Sequence, residues 1–284
     1  MNVLVTGASG MIGSHLVKKL IESKYNVIGV DMKPADNFES YEHHQIDLGD
    51  VNALETLFNE KHIDRVVHLA ALAHTIGGKK YPKQMYEHLN VECANNVFKV
   101  SAKHGVPVLF ISTVDVFGFQ KGVVTVDTLC KPVTIYGKTK YKAEQLLKES
   151  GCRYSVFRLS PVYTKDIKRD VQKRYYLKYP NWAYQIGKNS FYEVLNIDKA
   201  IGEMTNWCSK DCNNDISILK DEQLLETKMC IKKEKESGRA KHVVRVPRWL
   251  ACFGYGITRI SGKNEYTFLL SKALYPLRSN CDGI

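Results

Sequence analysis

No apolar run in this chain approaches the ~20 residues that a membrane-spanning helix needs, and no internal repeat or low-complexity segment appears. A spanning helix and a solenoid are thereby excluded. The eight cysteines stand singly, and the nearest pair, Cys208 and Cys212, lacks C-x-x-C spacing and has no second pair to complete a zinc site. They read as reduced thiols, and no metal is assigned. Met1 is followed at once by NVLVTGASG, which reads as a buried strand rather than a charged leader with an apolar core. A cytoplasmic location without stable membrane insertion is the expectation.

What is present is ordinary for a chain with a sizeable core: 284 residues, 44% hydrophobic and 25% charged. The net charge of +11 is unevenly spread. Lys165, Lys168, Arg169, Lys173, Arg174 and Lys178 form one basic cluster, and Lys228 to Lys241 hold another. Such clusters solvate a helix face or steer an anionic substrate, and both readings stay open. The aromatic interleaving at KRYYLKYPNWAY (173–184) lacks the pattern of an RNA-binding sheet, so no nucleic-acid partner is expected.

Apolar strands and amphipathic helices alternate through the first 160 residues: strands at 2–6, 26–30, 64–69, 107–112 and 153–158, helices at 11–23, 51–61, 83–104 and 136–150. This alternation predicts an α/β fold, a doubly wound parallel sheet of Rossmann type covered on both faces. After Arg158 a polar, basic stretch runs to about residue 192; FYEVLNIDKAIGEMTNWC then returns a strand and a helix, and NDISIL another strand. The expected division is a Rossmann domain over 1–164 and a smaller, discontinuous C-terminal lobe over 165–284, with 194–212 packing back on the first part.

VTGASGMIGSHL puts Gly7, Gly10 and Gly13 after the first strand and at the mouth of a helix whose first turn holds Met11 and Ile12. Glycines there let backbone approach a pyrophosphate, and the helix N-terminus favours its charge. The second strand ends in Asp31, at the distance expected for a carboxylate that binds an adenosine ribose and repels a 2′-phosphate. NAD is therefore preferred to NADP, although Lys33 is near.

IYGKTKYKAE (135–144) sets Tyr136 and Lys140 one helical turn apart on one face. An ammonium there stabilises phenolate, which fits Tyr136 as acid/base and Lys140 as its tuner. Ser112 and Thr113 end the strand of LFISTVDVFG, and Thr113 is positioned to hydrogen-bond substrate and tyrosine. Of the histidines, His68 and His74 flank a candidate cofactor segment while His43 and His44 fall in a polar loop. None has metal-ligand spacing.

Glycine loop, Asp31, Thr113 and Tyr136-x-x-x-Lys140, in this order, resemble the extended short-chain dehydrogenase/reductases of the NAD-dependent epimerase/dehydratase family, most strongly over 1–164. The resemblance implies cofactor contacts at Asp47 and Leu48 on the adenine side and at Leu69, Ala70 and Ala71 in VVHLAA, and Asn90 matches the family's structural or cofactor-side asparagine. FRLSPVY and EVLNIDKAI resemble the strand beneath the nicotinamide and the element after the substrate loop. Implied too are a nucleotide-sugar substrate, contacts at Asp115, Pro161 and Arg169, and epimerisation or 4-keto reduction by hydride transfer. The helices at 83–104 and 136–150 offer a surface for a homodimer.

Two departures stand out. Where the family often has Asn-x-x-Gly-Pro, this sequence has Pro161, Thr164 and Lys165; where its 4,6-dehydratases carry an acidic pair after the threonine, it has Val114 and Asp115. Alternatives are an NAD-binding regulatory or assembly protein without turnover, and a reductase of a non-nucleotide carbonyl substrate.

Overall fold

The computed structural model describes residues 1–33, 41–73, 81–120, 122–165, 169–262 and 264–280. Seven strands form one sheet: β1 (Asn2–Thr6), β2 (Asn26–Asp31), β3 (Glu42–Gln45), β4 (Arg65–His68), β5 (Val108–Thr113), β6 (Tyr154–Leu159) and β7 (Asp215–Leu219). Their order is β3-β2-β1-β4-β5-β6-β7, and every neighbouring pair is parallel. This is the Rossmann order extended by one strand.

Parallel strands need crossovers, and those crossovers lay helices on both faces of the sheet. The helices are α1 (Met11–Glu22), α2 (Val51–Glu60), α3 (Lys83–Glu87), α4 (Cys93–Lys103), α5 (Ile135–Glu149) and α6 (Ile197–Ser209). Side-chain parity decides which face each strand residue serves. Leu4, Val66, Val108, Phe110 and Val156 pack with Leu54, Phe58, Val97, Phe98 and Leu147 from α2, α4 and α5. Val3, Val5, Val67, Leu109 and Phe157 pack with Leu16, Leu20, Met204 and Trp207 from α1 and α6. Among the described residues, three α-helix starts are capped by side chains: Asp50 accepts from Asn52 and Ala53 N–H, Thr134 from Gly137 N–H, and Asn196 from Asp198 N–H.

Three features depart from the sequence pattern. His43 and His44 lie on β3, an edge strand beside β2, rather than in a loop; a half-exposed edge tolerates EHHQ, which carries no apolar alternation. The expected helix at 83–104 is interrupted by a π-helical turn at His88–Glu92 between α3 and α4. One residue of extra winding leaves composition unchanged, so periodicity does not reveal it. NDISIL forms β7 and pairs with β6 in the main sheet, so residues on both sides of 165 build that sheet.

Beyond the sheet, Trp182–Ile186 pairs parallel with His242–Val246 and antiparallel with Tyr176–Leu177. Helix α7 (Thr227–Glu236) covers it through Ile231, which shares a small core with Val171, Tyr175 and Ala183. Helices α8 (Arg248–Ile260) and α9 (Asn264–Leu274) follow, and Arg278–Ser279 then pairs with Val123–Val124. Among the described residues no helix is long and apolar enough to cross a membrane.

Candidate active site

The turn after β1 is built so that only glycine fits. Gly7 has φ +71°, and a Cβ there would lie 2.8 Å from Ala70 N; a Cβ on Gly13 would lie 2.1 Å from Gly7 O. Gly10 is the N-cap of α1 and offers no side-chain cap, so the positive end of that helix is left for another anion. Asp31 is pinned beside the loop: its Oδ2 accepts from Ser9 N–H at 3.1 Å and its Oδ1 from Lys33 N–H at 3.0 Å. Leu69 N–H donates to Thr6 O, drawing Leu69–Ala71 across the same strand end. Met11 and Ile12 are partly buried against the α1–α6 cluster. Glycine cradle, uncapped helix end and carboxylate together fit a dinucleotide.

Asp47, exposed, accepts from Gly49 N–H, while Leu48 beside it is buried. The π turn brings His88 and Cys93 to Asp47, so that a carboxylate, an imidazole nitrogen and a thiol lie within 4.8 Å of one another. His88 Nδ1 is hydrogen-bonded to Glu92, and burial pushes the Cys93 thiol up to about 11. No sequence spacing revealed this grouping.

Thr113 closes β5. Its Oγ1 accepts from Asp115 N–H at 3.2 Å, capping the short 3-10 turn Val114–Phe117 and leaving its own O–H to donate. Helix α5 meets that turn through Gly137, where a Cβ would lie 2.8 Å from Asp115 O. The missing side chain therefore lets the first turn of α5, with half-buried Tyr136, sit against the segment that begins at Thr113. Lys140, one turn on, is buried, its Nζ 3.9 Å from the centre of the Phe110 ring. Burial pushes its ammonium down to about 7, and Glu144 opposes the shift.

Glu144, a further turn along, ends the segment IYGKTKYKAE and belongs to no motif. It accepts from Ser112 Oγ and forms a buried ion pair with Arg158 of β6, with Nη2 to Oε2 at 2.8 Å. That pair ties α5 to β5 and β6 and puts a carboxylate on the face that carries Tyr136 and Lys140. Asn90, buried in the π turn, donates to Leu72 O and Thr139 Oγ1 and accepts from Leu72 N–H at 2.7 Å. Its side chain thus links the Leu69–Leu72 segment to α5. His68 lies below, its Nδ1 2.8 Å from Thr6 Oγ1. Burial, then Lys140, pushes it down to about 3, so the ring is neutral.

A cavity of about 810 Å³ opens where the strands end, at Val114 and Asp115. Pro161, Arg174, Arg259, Phe268 and Lys272 also line it; Tyr136 and Lys140 do not. Lys272 of α9 reaches Asp115 Oδ1 at 2.6 Å, and Arg174 stacks over the Tyr192 ring at 4.5 Å. The structure thus brings Asp115 and Pro161 together in one cavity and adds Lys272 and Arg259, which no motif marked. His74, Lys168 and the side chain of Arg169 lie outside what is described.

A family model, the NAD dependent epimerase/dehydratase family, matches residues 3–197. The chain belongs to that family. Its cofactor is accordingly NAD, and the cradle at Gly7, Gly10 and Gly13 accounts for the binding in physical terms. Putative UDP-arabinose 4-epimerase 2 of Arabidopsis thaliana is 32% identical over 161 residues, 51% of this chain and 38% of that protein. UDP-glucose 4-epimerase 2 of the same plant is 30% identical over 164 residues, 52% and 47% of the two chains. Methionine adenosyltransferase 2 subunit beta of Bos taurus is 27% identical over 162 residues, 57% and 47%. The family member described here thus spans half or less of the length of these curated relatives.

Among solved structures, UDP-glucose 4-epimerase of Thermotoga maritima with UDP-glucose superposes with TM-score 0.71 at 23% identity, over 87% of this chain and 86% of that one. A short-chain dehydrogenase/reductase superfamily protein of Agrobacterium tumefaciens with bound NAD gives 0.73 at 16% identity, again over 87% and 86%. At these identities the likeness is one of fold.

Proposed function

We propose that this protein is an enzyme acting on a nucleotide-activated sugar, by 4-epimerisation or by reduction of a 4-keto sugar. Gly137 carries the reading, because the close approach it permits sets Tyr136 against the Thr113 segment with Lys140 buried one turn below. NAD, when bound, supplies the hydride acceptor and donor. Tyr136 takes the proton of the sugar hydroxyl and returns it on reduction. A phenol ordinarily ionises near ~10, and a neighbouring ammonium in a poorly solvated site lowers that value. Lys140 is that ammonium, while Glu144 on the same face favours its charged form. The Thr113 hydroxyl orients the substrate oxygen.

The diphosphate falls to Arg174 and Arg259, which line the cavity and replace the contact missing after Arg158. Asp115 is engaged by Lys272 and Val114 is apolar, so no pair of proton carriers stands ready to expel water. The reading includes a cytoplasmic location and a homodimer through the exposed faces of α3, α4 and α5.

A second reading, an NAD-binding regulatory or assembly protein without turnover, is supported by the likeness to a protein named as a subunit, methionine adenosyltransferase 2 subunit beta. Incubating the protein and NAD with UDP-, dTDP- and GDP-sugars, and separating products by mass and stereochemistry, distinguishes the two. Conversion of one sugar supports the first; binding of NAD with no conversion supports the second.

A further inference from the structure

Helix α8 is amphipathic in an unusual sense, because its apolar face points to solvent. Trp249, Phe253, Ile257 and Ile260 follow one another at four, four and three residues, which keeps them on one side of a helix. They are 70%, 64%, 52% and 90% exposed, and Leu250 beside them is 46% exposed. Tyr255 and Arg259, on other sides of the same helix, line the substrate cavity. Isolated exposed apolar residues need no explanation, whereas a contiguous stripe of large ones marks a contact surface.

The chain that leads into α8 is strongly basic. Residues 228–260 contain nine Lys and Arg against two Glu, which is seven of the +11 net charge in 33 positions. All nine basic residues are exposed: four on α7, then Arg239, Lys241 just before the strand His242–Val246 and Arg245 on it, then Arg248 and, on the cavity side of α8, Arg259. In a two-fold dimer built on this stripe, each basic segment approaches its own copy, and like charges repel. An anionic bilayer surface supplies apolar depth for the stripe and opposite charge for the basic segment that leads into α8.

We propose that α8 is an interfacial anchor which seats the protein on an anionic lipid bilayer, with Trp249, Phe253, Ile257 and Ile260 entering the headgroup boundary. The helix lies on the membrane and does not span it. Because the same helix walls the cavity, docking holds the cavity next to the lipid surface. The anchor is independent of the reaction catalysed.

The test is co-sedimentation of the full chain with vesicles of phosphatidylcholine alone or mixed with phosphatidylglycerol. Binding to the anionic vesicles is expected, at least about tenfold stronger than to phosphatidylcholine and weakened by salt. The doubly substituted Trp249→Glu, Phe253→Glu protein is expected to lose that binding while keeping its NAD affinity and melting temperature. The proposal is overturned if the unsubstituted protein stays in the supernatant with both vesicles. It is equally overturned if the double variant still binds, or if sedimentation equilibrium shows a dimer that this substitution dissociates, for the stripe then belongs to a second copy.

Discussion

Lys272 Nζ lies 2.6 Å from Asp115 Oδ1 although 157 residues separate them in the chain. This contact ties α9 to the turn that Thr113 caps, beside the edge-on packing of Phe268 against Phe119. The pair is partly exposed, with side-chain accessibilities of 30% and 21%, and such pairs contribute up to about 1 kcal/mol. Lys272→Ala is therefore expected to raise KM for the sugar substrate about threefold to fivefold and leave NAD affinity unchanged. Titrating both ligands against the variant checks this; an equal loss in both would show that the pair supports the whole fold.

Tyr136→Phe is expected to lower kcat by about 10²–10⁴-fold, the usual contribution of a general acid–base group. NAD affinity should barely change, because the glycine loop and Asp31 lie on other elements. Unreduced turnover in the Phe variant would remove Tyr136 from the chemistry.

Lys140 is expected to cost stability. Its buried ammonium titrates near 7 against an ordinary 10.5, so between these values the unfolded chain holds the proton more tightly. Stability then rises with pH through that window, and the penalty is fully present below pH 7. Lys140→Met in the NAD-free protein should be more stable than the parent at pH 6, by on the order of a few kcal/mol, with the gap closing toward pH 10. Urea melts at the two pH values decide it, and a parent as stable as the variant at pH 6 contradicts it.

Asp31 accepts backbone N–H groups through both oxygens, which holds its charge at the end of β2. A 2′-phosphate there meets like charge, at a cost on the order of a few kcal/mol. NAD should bind more tightly than NADP, and Asp31→Ser should narrow the ratio. Dissociation constants for both cofactors measure this; tighter NADP binding by the parent would mean that Lys33 outweighs Asp31.

The sheet was legible because strands buried on both faces read as apolar runs, as in NVLVT and VLFIS, and because Gly7, Gly10 and Gly13 follow the first of them. Strand β3 was not, since EHHQ sits on an edge where burial imposes no pattern. Tyr136 and Lys140 were legible through helical spacing, and the same spacing extends to Glu144, which went unread because its partner Arg158 lies on another element. Asn90 was found, but its three bonds to Leu72 and Thr139 depend on a π turn that no periodicity encodes. Lys272 and Arg259 carry no local signal at all. Only the return of the C-terminal helices to the cavity gives them a place.

The proposed reaction is removal and return of hydride at a sugar carbon, with Tyr136 carrying the proton. Mass and stereochemical analysis of products from each UDP-, dTDP- and GDP-sugar, incubated with the protein and NAD or NADH, tests it most directly. The expected result is an isomer of unchanged mass, or a product heavier by two hydrogens when NADH is supplied to a 4-keto sugar, and its disappearance in Tyr136→Phe. A product lighter by one water, or no conversion of any sugar by folded protein that binds NAD, would contradict it.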